Sequence, residues 1–310
     1  MNNKPTILVI GAGAIGAYYG GRLAQVGADV SVAVRSDYDF LQSQPYQIKS
    51  CDGDFEFVPS QVIRTAGEYV GNPDYVIVAT KVLPGTDTVE LLRGAVHENT
   101  AIVLMQNGAE IEQNIASAYP DNEIISVLCF ICSGRTAPGH IHHQDYGHIA
   151  IGSFPQGKTK KLIKLGELFQ NAGVKCEVSE NAVQARWKKL VWNAPYNPLS
   201  VLAGCVDTKQ IMDNSWTAEL ARNIMEEVYT IAKAVGAEFD HSFIQQNIDA
   251  TMKMKAYKPS MLLDYENGRE MEVEAILGNT VKAARRVGVE TPRIDSLYAL
   301  LQLINSKANC

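Results

Sequence analysis

The sequence of 310 residues lacks any apolar run long enough to cross a bilayer, and its first residues lack the pattern of a secretory signal peptide. It also lacks an excess of basic residues, since its formal net charge is −6. That balance argues against a broad surface for nucleic acid or an anionic membrane, so an anionic ligand would need cations placed locally. We therefore expect a cytoplasmic protein that acts without nucleic-acid or membrane partners.

Cysteine is sparse and scattered, with six residues in the chain. Cys129 and Cys132 form a C-x-x-C pair, but they lie inside the apolar run 124–132, which predicts a buried strand. Residues three apart on a strand point to opposite faces, whereas a redox pair of this spacing begins a helix. We predict neither redox chemistry nor a bound metal at this pair.

A glycine motif stands at the start of the chain. Directly after the β-prone run 6–10 comes G-x-G-x-x-G, made of Gly11, Ala12, Gly13, Ala14, Ile15 and Gly16. In a strand–turn–helix unit the first glycine allows the turn, the second lets the backbone approach a pyrophosphate, and the third lets the helix pack on the strand. The phosphates would lie at the helix N-terminus. The motif predicts a dinucleotide site; the competing interpretation is a structural glycine turn.

Arg35 stands at the tip of the second predicted strand, 29–34. An NAD site commonly has an acid there to bind the ribose 2′-hydroxyl, whereas an NADP site prefers a cation for the 2′-phosphate. Arg35 therefore predicts NADP, as NADPH. Asp37, two residues later, is the observation that favours NAD, and a merely solvated Arg35 is the third possibility.

Strand and helix signals alternate up to about residue 180, after which the spacing is helical. We predict an α/β protein with an N-terminal Rossmann-like, doubly wound, mainly parallel sheet and a C-terminal all-helical domain. The predicted domains are 1–180, which would bind NADP, and 181–310, which would bind substrate and carry the catalytic residue. Because ligands of such sheets bind at the carboxyl ends of the strands, we expect the active site between that edge and the helical part.

Two further local predictions concern histidines and a late helix. Residues 140–143 and 148–152 suggest a hairpin around 144–147, and residues 269–287 show continuous helical spacing. Four histidines in and around this hairpin offer metal-ligating nitrogens, but imidazoles near a turn are more often simply exposed, and we predict no metal. These histidines are His140, His142, His143 and His148.

A predicted helix over 181–196 carries Lys189 and Asn193, and Asn197 follows with the same spacing. Residues at i, i+4 and i+8 share one side of a helix. A lysine can donate a proton to the alkoxide formed from a ketone and can stabilise its charge, while amides can orient a carbonyl or carboxylate. The competing interpretation is a solvated lysine with two amides that cap a kink at Pro195. Lys188 would point away from Asn193.

These features together resemble the 2-dehydropantoate 2-reductase (ketopantoate reductase) family over essentially the whole chain. The motifs that carry the resemblance are GAGAIG, Arg35, Lys81 after A-T, Q-N-G at 106–108, Lys189-x3-Asn193-x3-Asn197-Pro-Leu, S-M-L-x-D at 260–264 and G-R-x-x-E at 268–272. The resemblance implies reduction of 2-dehydropantoate to (R)-pantoate with NADPH, in pantothenate biosynthesis.

The resemblance also implies residue roles. Lys189 would donate the proton. The substrate would be bound by Asn107, Asn193, Asn197 and Ser260. The cofactor would be bound by the residues from Gly11 to Gly16 and by Arg35, Lys81, Asn107, Cys132 and Glu272. The choice of Glu272 over the neighbouring acids comes from the resemblance.

The chain departs from the family pattern in two places: Met271 replaces a usual threonine, and residues 200–207 lack a further substrate-binding asparagine that some members have. Two other functions therefore remain open: a reductase of another 2-oxo acid with the same Lys189 chemistry, and an inactive NADP-binding sensor. The sequence leaves open whether the protein is a monomer or a homodimer.

Overall fold

A computed structural model describes residues 4–308, and Cys310 lies outside the described residues. The chain divides into two compact units. The sheet unit comprises described residues 4–81, 87–106 and 111–182, and the helical unit comprises 82–86, 107–110 and 183–308. This architecture, an N-terminal α/β unit followed by a helical one, confirms the predicted fold class. None of the helices within residues 4–308 combines the length and apolar content that a membrane span requires.

The sheet unit is built on one mixed sheet. Its strands are β1 Thr6–Ile10, β2 Asp29–Ala33, β3 Tyr46–Ser50, β4 Phe55–Phe57, β5 Val62–Ile63, β6 Tyr75–Val78, β7 Ala101–Leu104, β8 Ile124–Ala137, β9 His140–Phe154 and β10 Cys176–Val178. They follow the order β4-β3-β9-β8-β7-β6-β1-β2-β5, and β10 pairs with β9. Its helices are α1 Ala14–Gln25, α2 Tyr38–Leu41, α3 Thr88–Leu91, α4 Gln113–Ala118 and α5 Lys160–Asn171, with a short 3-10 turn at Ala66–Glu68.

The centre of this sheet is parallel and buried on both faces. β1 pairs in parallel with β2 on one side and β6 on the other. Every residue of β6 and of β7 is buried, which explains why these strands are continuous apolar runs rather than alternating ones. The carboxyl ends of β1, β2 and β6 are followed by the glycine motif, Arg35 and Lys81, respectively.

The predicted hairpin around 144–147 is wrong. Residues 140–154 form one strand, β9, whose antiparallel partner is β8, and the turn lies at Pro138 and Gly139. The turn-forming residues instead occupy register shifts within β9, where Tyr146 and Gly147 have positive φ. A β-bulge accommodates the same residues as a turn without reversing the chain, and the sequence pattern did not distinguish the two.

The helical unit contains helices and no strands among the residues the structure describes. Its elements are α6 Ala182–Leu202, α7 Thr208–Asp213, α8 Ser215–Ala234, α9 Ser242–Lys253, α10 Ser260–Glu266, a π-helical turn Glu274–Gly278, α11 Asn279–Val287 and α12 Pro292–Ala308. The central helix is α8, which packs against α7, α9, α11 and α12. Its inward face is apolar at helical spacing, with Ile224, Val228 and Ile231 fully buried.

The first helix of this unit runs further than the sequence predicts. α6 continues through Pro195 and Pro198 to Leu202, so Asn197 is helical. Each proline costs one helical hydrogen bond, but both lie in a segment whose residues 193–201 are all buried. Apolar burial of this extent outweighs two lost bonds. The Ser200 hydroxyl also donates to the Asn197 carbonyl at 2.8 Å.

The predicted continuous helix over 269–287 is also wrong in its first part. Gly268, at φ +61, follows α10, and no helix forms over 269–272. The backbone N–H of Met271 instead donates to the buried Asn305 side chain at 3.0 Å. Glu272 therefore stands just before a helix rather than within one.

Candidate active site

The glycine motif forms a tight turn between β1 and α1. Gly11 has φ +80, and a Cβ placed there would come within 2.5 Å of a Thr80 side-chain carbon. A Cβ on Gly16 would lie 2.9 Å from the Gly11 carbonyl oxygen. Around Gly13 no atom lies within 4 Å of an added Cβ. Gly11 and Gly16 are thus required by packing, whereas Gly13 leaves an open approach to the backbone, as a bound pyrophosphate requires.

The N-terminus of α1 is suited to an anion. The helix begins after Gly13, no side chain caps it, and its first turn carries no acidic residue. Its first N–H groups are therefore available to a ligand. The buried Tyr46 hydroxyl donates to the Ala12 carbonyl at 2.7 Å and fixes the turn from the other side. Burial raises the pKa of Tyr46 well above its usual value, which keeps this hydroxyl a donor.

At the tip of β2, Arg35 is exposed, and the structure shows no ion pair to it within residues 4–308. Asp37, by contrast, is buried, at 2% exposed. Its carboxylate accepts a hydrogen bond from Arg135 on β8, and the same guanidinium nitrogen lies 2.5 Å from the Ser36 hydroxyl oxygen. Asp37, the acid that favoured NAD in the sequence, is thus paired with a cation, whereas Arg35 faces solvent.

Lys81 and Cys132, which the resemblance assigns to the cofactor site, both belong to the sheet unit. Lys81 follows the end of β6, and Cys132 lies on β8, where it pairs in register with Asp145 of β9. The hydroxyl of the next residue, Ser133, is buried and has no hydrogen-bond partner among the described residues. No disulfide joins Cys129 to Cys132.

In the helical unit, Lys189, Asn107 and Glu272 form one hydrogen-bonded chain. The Lys189 ammonium lies 2.9 Å from Asn107 Oδ1, and Asn107 Nδ2 donates to Glu272 Oε2 at 3.1 Å. The other Glu272 oxygen accepts from the backbone N–H of Val82 at 3.0 Å. Three residues that are distant in sequence are therefore brought together, and their hydrogen bonds to one another orient the three side chains.

The loop that carries Asn107 is held in place by residues that no sequence motif indicated. Arg186 on α6 is buried and donates to the Gly108 carbonyl at 3.1 Å. The Ala109 N–H donates to the Ala275 carbonyl at 3.2 Å, and Asn279 Nδ2 donates to the Ala109 carbonyl at 2.9 Å. A signal for Arg186 was present, because it lies three residues before Lys189 on the same helix.

The two asparagines that follow Lys189 along α6 are both buried, Asn193 at 8% and Asn197 at 1% exposed. Both polar atoms of the Asn197 amide lack a hydrogen-bond partner in the described part of the chain. Such orphaned groups are uncommon and costly. Asn197 therefore marks a place where a ligand could supply the missing bonds.

Ser260 and Lys188 lie apart from this hydrogen-bonded chain. Ser260 is the exposed first residue of α10, and it makes no hydrogen bond to Lys189. The Lys188 ammonium lies 5.5 Å from the centroid of the Phe243 ring. Adjacent lysines on α6 thus have different surroundings, which makes Lys188 a useful reference for Lys189.

Among the described residues, the one group of three potential metal ligands contains His143 and none of the other three histidines. His148 stacks on Phe130, with ring centroids 4.7 Å apart, and His143 is fully buried. Cys51 and Asp52 place potential ligand atoms within 4.8 Å of one another and of His143. Both His143 nitrogens, however, lie within hydrogen-bond distance of protein atoms, Nδ1 at 2.9 Å from Ser50 Oγ and Nε2 at 3.2 Å from the Asp145 carbonyl. These bonds account for its burial without a metal.

Comparison with known proteins gives consistent matches. A family model described as ketopantoate reductase PanE/ApbA matches residues 7–156, and a model of the family's C-terminal part matches residues 181–305. A 2-dehydropantoate 2-reductase of Nostoc sp. is 37% identical, over 98% of this chain and 97% of its own length.

Solved structures agree in fold over nearly the whole chain. The crystal structure of 2-dehydropantoate 2-reductase from Methylococcus capsulatus has a TM-score of 0.93 at 44% identity and covers 98% of each chain. The enzyme of the same name from Geobacter metallireducens has a TM-score of 0.90 at 34% identity, over 96% of this chain and 99% of that one.

The two family models fall on different parts of the chain, one mostly on residues of the sheet unit and one mostly on residues of the helical unit. The relatives match both parts at once, so the similarity is not that of a shared nucleotide-binding fold alone. The family membership that the sequence motifs indicated is confirmed: the chain belongs to the ketopantoate reductase family of NAD(P)-dependent oxidoreductases.

Proposed function

We propose that the protein reduces 2-dehydropantoate to (R)-pantoate with NADPH. The observation that carries the proposal is the chain from Lys189 through Asn107 to Glu272, in which the ammonium group donates a hydrogen bond to a carboxamide that is itself bonded to a carboxylate. Relatives at 37% and 44% identity over nearly the full chain carry the name 2-dehydropantoate 2-reductase, which supports this substrate.

The residues of the sheet unit fit a bound dinucleotide phosphate. The open backbone at Gly13 and the uncapped start of α1 fit the pyrophosphate. The exposed Arg35 fits the 2′-phosphate, and Asp37 is already paired with Arg135, which supports NADPH over NADH. Lys81 and Cys132 would also line this site, and in the helical unit Glu272 would bind the nicotinamide ribose. When bound, the reduced nicotinamide supplies a hydride.

Lys189 would complete the reduction. The ketone carbon gains a hydride and its oxygen becomes an alkoxide, which Lys189 protonates, so ketone, hydride and proton together give the alcohol. The positive charge also stabilises the developing negative oxygen. Asn107 would orient both Lys189 and the substrate carbonyl. Asn193 and Asn197 would bind the substrate, whose polar groups satisfy the orphaned Asn197 amide, and Ser260 would contact the carboxylate.

Steady-state kinetics with NADPH and 2-dehydropantoate test the proposal, on the parent protein and on Lys189→Ala. Removal of a general acid commonly costs about 100-fold or more, so we expect kcat to fall by at least ~100-fold. Lys188→Ala is the matched control, since it removes the adjacent ammonium, and we expect it to retain parental kcat.

A panel of other 2-oxo acids at equal NADPH separates the alternatives. Turnover of another oxo acid without turnover of 2-dehydropantoate would reassign the substrate and keep the Lys189 chemistry. Tight NADPH binding with no turnover of any oxo acid would identify a nucleotide sensor instead. Near-parental activity of Lys189→Ala would place the proton donor elsewhere.

A further inference from the structure

We propose that Arg135 determines the preference for NADPH, by neutralising Asp37 and by contributing a second cation to the 2′-phosphate site. This inference rests on the proposed function for its ligand. It concerns a residue on β8, about one hundred positions away from the β2 tip in sequence, which no motif connects to the nucleotide site. The juxtaposition that carries it lies entirely within the sheet unit.

The contacts at the β2 tip are specific. A single Arg135 nitrogen, Nη1, donates to Asp37 Oδ1 and also lies 2.5 Å from the Ser36 hydroxyl oxygen. Ser36 is the residue directly after Arg35, so the Arg135 guanidinium lies beside the backbone from which Arg35 extends. A guanidinium has five N–H donors, and these contacts use one nitrogen. The remaining donors are available to a ligand.

Because Asp37 is buried, its negative charge would strongly affect a nucleotide bound beside it. Its side chain is 3% exposed, while the side chain of Arg135 is 37% exposed. A carboxylate in this position without a partner would repel a 2′-phosphate and would accept a hydrogen bond from the 2′-hydroxyl of NADH. Paired with Arg135, it does neither. The acid instead orients the half-exposed arginine, whose planar donor fork suits phosphate oxygens.

The charges explain why Arg35 alone is not sufficient. With Arg35, Arg135 and Asp37 counted together, the β2 tip carries two cations and one anion, a net charge of +1. Loss of Arg135 would leave one cation and one buried anion, a net charge of zero. The same site would then resemble the acidic tip of an NAD-binding protein more than a phosphate site.

The test compares two pairs of proteins by their dissociation constants for NADPH and for NADH, measured from the fluorescence of the bound nucleotide. In the first pair, Asp37→Asn is compared with Asp37→Asn/Arg135→Met, so neither protein has a buried unpaired carboxylate. We expect the second member to lose about 10- to 100-fold in NADPH affinity, the scale of a charge-assisted phosphate contact. NADH affinity should change by less than about twofold.

The second pair is the parent and Arg135→Met, which exposes the Asp37 charge. We expect the ratio of NADPH affinity to NADH affinity to fall more between these two proteins than between the members of the first pair. Adding Asp37→Asn to Arg135→Met should restore part of that lost preference. Arg93→Met, at an exposed arginine of the same unit, is the control and should leave the ratio unchanged.

An NADPH-to-NADH ratio that changes by less than about twofold between Asp37→Asn and Asp37→Asn/Arg135→Met would overturn the inference, even if Arg135→Met alone fails to fold. The readout is nucleotide binding and does not require turnover of an oxo acid. A wrong assignment of substrate would therefore leave the result interpretable, and a parent protein that binds neither nucleotide would refute the proposed function as well.

Discussion

The Lys189 ammonium lies 2.9 Å from the Asn107 carboxamide oxygen, although the two residues are 82 positions apart. Asn107 is in turn held by Glu272 and by a loop whose carbonyls accept from Arg186 and Asn279. A lysine side chain has several rotatable bonds and loses entropy when it is fixed. Here the acceptor is itself held by hydrogen bonds within the protein, which is the arrangement that the proposed proton transfer from Lys189 requires.

Replacement of Asn107 by alanine tests this arrangement. The variant removes the acceptor that fixes Lys189 and leaves Lys189 itself in place. We expect kcat with NADPH and 2-dehydropantoate to fall by about 10- to 100-fold, since misplacement of about 1 Å can cost that much. Initial rates at saturating substrate measure it. Asn99→Ala, at an exposed asparagine of the sheet unit, serves as the reference, and equal kcat in both variants would show that Asn107 does not position the proposed proton donor.

The orphaned amide of Asn197 should serve binding at the expense of stability. In Asn197→Leu the buried polar atoms are replaced by an apolar group of similar size, and no protein partner loses a bond. We expect the free energy of unfolding to stay equal or rise by about 1 kcal/mol, while KM for the oxo acid rises at least ~10-fold. Urea unfolding and steady-state kinetics measure the two effects.

Asn305→Leu is the matched comparison, because Asn305 is also buried but is bonded to the Met271 backbone N–H at 3.0 Å. Its loss leaves that buried N–H unpaired and should cost about 1–3 kcal/mol. If Asn197→Leu loses as much stability as Asn305→Leu, the Asn197 amide has partners within the folded protein and is not reserved for substrate.

The parts of the protein that follow from local pattern were predictable. The glycine motif, the buried strands β6 and β7 and the spacing of Lys189 and Asn193 each depend on residues close in sequence. The contacts between distant segments were not. Nothing in the sequence pairs Arg135 with Asp37 or places Asn305 against Met271. Local patterns also failed where tertiary packing overrode them, as at the prolines of α6 and at the bulges of β9.

Glu227 provides a stability prediction that is separate from the site. Its buried carboxylate on α8 accepts from the backbone N–H groups of Arg293 and Ile294, at 3.1 and 3.0 Å, and so caps the N-terminus of α12. We expect Glu227→Ala to lower the free energy of unfolding by about 2–3 kcal/mol, since bonds to a charged group are strong and the N–H groups would be left unpaired. Urea titration followed by circular dichroism measures this.

Glu226→Ala is the neighbouring control for Glu227→Ala. Glu226 is more exposed, with 38% of its side chain accessible, and pairs with His241 at the surface, so its removal should cost less than about 1 kcal/mol. Equal losses in the two variants would show that the α12 cap contributes nothing beyond a surface ion pair. Neither substitution should change kcat.

Glu274 predicts how stability depends on pH. Burial alone would raise its pKa, but hydrogen bonds from Lys282, Tyr298 and Gln302 outweigh burial and lower the pKa below the usual value of 4.5. A carboxyl whose folded-state pKa is lowered contributes stability above its unfolded pKa and loses it as pH falls through the folded value.

We therefore expect Glu274→Gln to be less stable than the parent at pH 7. That difference should shrink as pH falls below the usual value of 4.5 and through the lowered folded-state pKa, where the parent carboxyl becomes protonated and resembles the amide. Urea unfolding of both proteins at pH 7 and at pH 3 measures it. If the two proteins differ in their free energy of unfolding by the same amount at both pH values, the charge of Glu274 does not stabilise the fold. Its contribution would then come from hydrogen bonds that do not depend on the charge.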